Sequence, residues 1–249
     1  MNIAEKLTRI AENEQRVYDA GYTKGLESGD YGAGVEVGKN EATTKFWDDF
    51  TDRGERTTYA RAFYYWGAEY IRPTRKIIPT TADSAVNTFA QNFKLKKVEA
   101  AYFDFSQKPR STTTQSAYYF AFYNCKALEE IEDIGMQADF AYNNAFANCT
   151  KLYTIAKIRC DEDTLFTNAF DYCNTLQNVT FDGVIGQNIN VRWSTKLSKD
   201  SITNIISCLS DTASGKTLSL SKTAVNNAFT DAEWTALADT KKNWTISLL

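Results

Sequence analysis

Three of the five cysteines, Cys125, Cys149 and Cys173, recur at a constant step of 24 residues. Thiols at a fixed period could hold a metal, pair as disulfides or fill a core. Zinc sites draw on close pairs such as Cys-x-x-Cys, and that spacing is missing here. Cysteine also packs as a small, usually buried hydrophobe, so structural thiols are expected, with no metal and no cofactor. Cys160 and Cys208 carry no pattern. The other reactive groups are carboxylates in runs, Glu129-Glu130 and Asp161-Glu162-Asp163. Glycoside hydrolysis needs two carboxyl groups facing each other across a cleft, and neighbours on one turn or strand do not create one. The chain has no histidine, which removes imidazole bases, histidine metal ligands and the Ser-His and Cys-His pairs. Lys and Arg total 28 against 31 Asp and Glu, a net charge of −3. Without a basic cluster there is no nucleic-acid footprint. Binding rather than catalysis is the expectation.

The cysteines belong to a longer unit. Ala121-Phe122-x-x-Cys125-x-x-Leu128-x-x-Ile131 aligns with Ala145-Phe146-x-x-Cys149-x-x-Leu152-x-x-Ile155. It aligns again with Ala169-Phe170-x-x-Cys173-x-x-Leu176-x-x-Val179. A degenerate copy lies upstream, with Phe89, Leu95 and Val98 in register but Asn92 at the cysteine position, and a polar insertion over 106–115 separates it from the rest. One such unit cannot bury its apolar side alone, so the copies must stack. Ladders of Phe122, Phe146 and Phe170, of Leu128, Leu152 and Leu176, and of Ile131, Ile155 and Val179 are expected. The Leu-x-x-Ile part predicts a short strand in a parallel ladder, and the Ala-Phe-x-x-Cys part a helical turn on the opposite side. Residues flanking the buried Ile or Val then face outward: Glu130 and Glu132, Thr154 and Ala156, Asn178 and Thr180. They are the candidate ligand-binding residues, with Tyr118, Tyr119 or Tyr123 near the insertion as added stacking area.

Around the repeats, residues 1–40 read as a helical segment with a Gly-rich connector. Ile3, Leu7, Ile10 and Val17 form an a/d-like seam, either for oligomerisation or for packing on the chain's own domain. The opening MNIAEKLTRI lacks the apolar run of a secretory signal, and no stretch approaches the ~20 apolar residues that span a bilayer. Residues 41–87 are rich in aromatics and suit an N-terminal cap, residues 88–196 hold the repeats, and residues 197–249 alternate helix and strand patterns. In that last part Ile202, Ile205, Ile206 and Leu209 mark a helix, Leu218 and Leu220 a strand, and Thr230-Asp231-Ala232-Glu233 a capping box. Trp244 to Leu248 read as a final strand. A helix-strand-helix-strand cap that continues the sheet is the expectation.

These Ala-Phe-x-x-Cys-x-x-Leu-x-x-Ile units resemble the BspA-like class of leucine-rich repeats. Three segments resemble, more narrowly, the leucine-rich-repeat proteins encoded with tail genes in phages and prophages of Gram-positive gut bacteria. They are Met1 to Leu7 with Ala11 to Gln15, Leu176 to Gly183, and Leu197 to Leu249. The resemblance implies an α/β solenoid, a short repeat array with an N-terminal helical segment and a C-terminal α/β cap. It further implies a non-enzymatic, virion tail-associated protein, made in the host cytoplasm, that attaches to a host cell-surface protein or glycan. Such a protein would dock on other tail proteins through its N-terminus as a homo-oligomer, most simply a trimer, without nucleic acid or membrane insertion. A bacterial surface adhesin or protein-protein interaction module is the alternative.

Overall fold

The computed structural model describes residues 63, 69–72, 76–82, 85–113, 115 and 117–249. The proposed seam of Ile3, Leu7, Ile10 and Val17 lies outside them, as does nearly all of 41–87. The chain divides into two units, Met1–Arg56 with Arg72–Arg75, and Thr57–Ile71 with Lys76–Leu249. Everything below concerns the second.

Equivalent residues of successive copies meet side by side. Four parallel strands, β1 (Lys97–Val98), β2 (Glu130–Ile131), β3 (Thr154–Cys160) and β4 (Asn178–Gly183), lie in sequence order in one sheet. Lys97 is aligned with Glu130, Glu130 with Thr154 and Thr154 with Asn178, while Val98, Ile131, Ile155 and Val179 form the adjacent buried row. A single isolated bridge extends this ladder upstream, from Tyr70 to Lys97. Behind the strands the phenylalanine rings stack: Phe89 on Phe122 at 5.0 Å, Phe122 on Phe146 at 5.6 Å and Phe146 on Phe170 at 5.5 Å. Phe63 stacks on Phe89 at 5.3 Å. A second aromatic column runs beside the first, Tyr118 on Tyr142 at 4.5 Å and Tyr142 on Phe166 at 5.6 Å. Those three residues also recur every 24 positions, three places before each alanine. Phe181 ends both columns by meeting Phe166 and Phe170 edge-on, an arrangement the ring quadrupoles favour once stacking can go no further.

The Ala-Phe-x-x-Cys part is not a helical turn. It is a run of tight turns in which every fourth residue is left-handed: Asn87 and Gln91, Phe120 and Asn124, Asn144 and Asn148, Asn168 and Tyr172. Asparagine tolerates that region better than most residues, which accounts for its recurrence. The alternation turns amide N–H groups toward the next copy. Phe120, Phe122 and Asn124 donate to the carbonyls of Asn143, Ala145 and Ala147, and Asn144, Phe146 and Asn148 donate to those of Thr167, Ala169 and Asp171. The intervening amides of Ala121, Tyr123 and Cys125 close turns onto Tyr118, Phe120 and Phe122. A helix would have directed these hydrogen bonds along itself; here they join one copy to the next.

The thiols complete the join. Cys125 donates to the Phe89 carbonyl at 3.0 Å, Cys149 to Phe122 at 3.0 Å and Cys173 to Phe146 at 3.1 Å. Burial pushes the Cys125 and Cys173 thiols up to about 12, and Cys149 well above its ordinary value. Burial this complete is the environment of a thiol that packs as a small core group.

The C-terminal part departs from the expectation in two ways. Its strands β5 (Ile189–Asn190), β6 (Lys216–Leu220) and β7 (Trp244–Leu248) form a separate parallel sheet in that order. It also holds three α-helices, α1 (Lys199–Cys208), α2 (Lys222–Ala228) and α3 (Asp231–Ala238). Instead of a fifth strand, α1 covers the open edge of β4. Ser201 Oγ accepts the Val179 N–H at 3.0 Å, and the Asn204 amide both accepts the Phe181 N–H at 2.7 Å and donates to its carbonyl at 3.1 Å. An exposed parallel edge invites further pairing, and side-chain groups occupy this one. The capping box at Thr230 and Glu233 forms as the pattern requires.

Candidate functional site

The six residues read from the repeats flank the buried row of the parallel sheet. Glu130, Glu132, Thr154 and Ala156 are half-buried, and Asn178 and Thr180 are exposed. Parallel pairing sets successive members of a row about 4.8 Å apart. Asn178 Nδ2 reaches Thr154 Oγ1 at 3.4 Å. The two glutamates share one cation: Lys97 Nζ lies 3.1 Å from Glu130 and 2.6 Å from Glu132. Glu132 also accepts the Ala100 N–H at 2.8 Å. The hydrogen bond from Lys97 and then that from the Ala100 amide hold its carboxyl below its ordinary value. A general acid must hold its proton near working pH, and this environment does the reverse.

Next to these rows lies a second charged group that the repeat alignment does not reveal. Arg159 meets both Asp133 oxygens, at 3.0 and 3.2 Å, and its Nε is 3.8 Å from Asp182. Lys157 stands 3.6 Å from Asp182 and 3.9 Å from Asp133. A bulge between Ile155 and Ile158 produces this cluster, since it inserts a residue and shifts the later part of β3 relative to β4. Three cations therefore face four carboxylates across the sheet, each already paired. Such a face presents closely spaced donors and acceptors without a strong field of one sign, and suits a neutral, hydrogen-bonding ligand better than a polyion.

Other expected contributors are placed differently. Tyr118 is buried in the second aromatic column, and burial raises its phenol well above the ordinary value; it offers no outer stacking surface. Tyr119 and Tyr123 remain half-buried against Phe120, edge-on at 4.4 and 4.6 Å. The acidic run is committed to turns. Asp161 pairs with Arg110 and accepts from Thr164 Oγ1 at 2.9 Å, while Glu162 accepts from Ser210 at 2.7 Å and Thr212 at 3.1 Å. Among the described residues no group of three or more Cys, Asp or Glu side chains is placed to hold a metal ion, and no helix is long and apolar enough to cross a membrane. Compared with known proteins, the chain matches no protein-family model, no curated protein and no solved structure.

Proposed function

We propose that this chain is a non-enzymatic binding scaffold, a short BspA-type leucine-rich-repeat solenoid carried by a phage or prophage tail. It engages a host cell-surface protein or glycan through the outer face of its parallel sheet. The observation behind this reading is the in-register row Lys97, Glu130, Thr154 and Asn178 beside Glu132, Ala156 and Thr180. A largely polar surface on stacked backbone keeps its spacing without reorganising, and a preorganised surface loses less entropy on binding. The tail-associated role is supported by the sequence resemblance. Under it, residues 1–40 dock the chain on other tail proteins as a homo-oligomer, most simply a trimer.

The test is retention of the purified chain on intact Gram-positive gut bacteria, compared with the triple variant Thr154→Lys, Asn178→Lys, Thr180→Lys. These side chains are half-buried or exposed, so the variant keeps its circular dichroism spectrum and loses retention. Equal retention of both proteins would remove the sheet face from the proposal. Release of reducing ends from host cell-wall polysaccharide would overturn the non-enzymatic reading. Light scattering of the full chain against residues 41–249 tests assembly: a full-length monomer at micromolar concentration would refute the oligomer.

A further inference from the structure

The insertion over 106–115 reads as a polar surface excursion, yet two of its side chains are among the most deeply buried polar groups. The Lys108 side chain is 1% exposed, the Asp139 side chain it touches is 2% exposed, and Ser111 is buried with them. Lysine and aspartate are almost never buried to this degree unless paired, and these two are paired with each other. Taking both charges out of water is costly, and their mutual attraction recovers that cost only in part.

The surrounding atoms are arranged as for an acyl transfer. Asp139 Oδ1 accepts two backbone amides, from Ser111 and from Phe140, each at 2.7 Å. Two converging N–H donors on one carboxyl oxygen form an oxyanion hole. The other oxygen, Oδ2, accepts from Lys108 Nζ, so one bond separates the atom the nitrogen contacts from the Cγ carbon. Ser111 Oγ lies 3.1 Å from that nitrogen and 3.3 Å from Oδ2, so it bridges the two. Its position is fixed by a 2.9 Å hydrogen bond to the Ala82 carbonyl. Further contacts orient the lysine: Nζ donates to the Pro109 carbonyl at 3.2 Å and lies 5.1 Å from the Tyr118 ring centroid.

We propose that Lys108 and Asp139 condense to an intramolecular amide cross-link. The ammonium passes one proton to Oδ2 along their existing hydrogen bond, leaving an amine and a carboxylic acid. Nζ then attacks Cγ, and the negative charge gathering on Oδ1 is met by the Ser111 and Phe140 amides. A second Nζ proton travels through Ser111 Oγ to the Oδ2 hydroxyl, which departs as water. The Nζ–Cγ bond forms, the Cγ–Oδ2 bond breaks, and no oxidant, reductant or cofactor takes part. The product is uncharged, so the condensation abolishes the two buried charges. It also closes a covalent loop around the first regular repeat, Ala121 to Ile131, joining the insertion to the start of the next copy.

The decisive measurement is the intact mass of the full-length folded protein, recorded after complete denaturation. The expected mass is that of the sequence less one water, and proteolytic mapping should join the peptides carrying Lys108 and Asp139. The full sequence mass after days of incubation in the folded state, or a water loss mapped elsewhere, would overturn the proposal. Lys108→Met restores the full mass. Asp139→Asn supplies an independent signature, because an amide donor gives up ammonia in place of water. Since the primary result is read on the unaltered chain, it does not depend on the variants folding.

Discussion

The residue that least fits its surroundings is Asn92. It takes the register position of Cys125, Cys149 and Cys173, is fully buried, and neither its Nδ2 nor its Oδ1 has a hydrogen-bond partner among the described residues. A buried amide stripped of water without compensation costs about 1–3 kcal/mol, whereas a thiol at this position loses far less on burial. Asn92→Cys is therefore expected to stabilise the fold by about 1–3 kcal/mol, seen as a higher urea midpoint with an unchanged slope. A midpoint that stays put or falls would mean that the amide is satisfied in solution. Tyr172 is a milder exception. It adopts the left-handed conformation that asparagine takes in the preceding copies, and it stacks on Trp193 at 4.5 Å, a contact of about 0.5–1.5 kcal/mol that offsets the backbone cost.

At the scale of elements, what the sequence makes legible follows from period. A fixed 24-residue step specifies which strand residues align, and Glu130, Thr154 and Asn178 do align. The second aromatic column was equally available in the same period, at Tyr118, Tyr142 and Phe166. The turn side is less legible because Ala-Phe-x-x-Cys spacing suits a helix as well as a turn; the recurring asparagines, which favour left-handed backbone, are the distinguishing signal. The Arg159 and Lys157 cluster depends on a bulge, and the Lys108 to Asp139 contact joins residues far apart in sequence. Neither leaves a local pattern. The edge of β4 is likewise a tertiary solution, and it yields a prediction. Asn204→Ala leaves the Phe181 N–H without its side-chain partner and its carbonyl with only the Cys208 thiol at 3.5 Å, at an expected cost of about 1–3 kcal/mol. Thr203→Ala, exposed on the same helix, should change stability by less than about 0.5 kcal/mol. Equal urea midpoints for the two variants would show that α1 does not seal the edge through these bonds.

For the whole molecule, stacking makes stability a sum over neighbouring copies, and the sheet-face ion pairs are one component that spans those junctions. Lys97 links β1 to Glu130 on β2 and to Glu132 just after it, and Arg159 links Asp133, after β2, to Asp182 on β4. Their titration dictates a direction with pH. Glu132 and Asp133 are held below their ordinary values of 4.5 and 3.8, first by hydrogen bonds from Lys97 and Arg159 respectively. A carboxyl depressed in the folded state contributes its stability above its unfolded pKa. That contribution falls as the pH drops toward the folded value, because the unfolded chain takes up the proton first. Lys97 and Arg159 are raised by the same partners, and their contribution is lost only as the pH climbs through the folded value, far into the alkaline range. The contribution of these pairs should thus be level across neutral pH and decline below about pH 4.5. Lys97→Met removes the chief cause of the Glu132 shift. Its deficit against the unaltered chain, read from urea midpoints at a series of pH values, should be largest near neutrality and shrink on acidification. These groups are partly solvated, so added salt should narrow the deficit at neutral pH as well. A deficit independent of both pH and salt would mean that Lys97 acts through the packing of its aliphatic stem, and that the charged rows on this face are not coupled to the stacking of the copies beneath them.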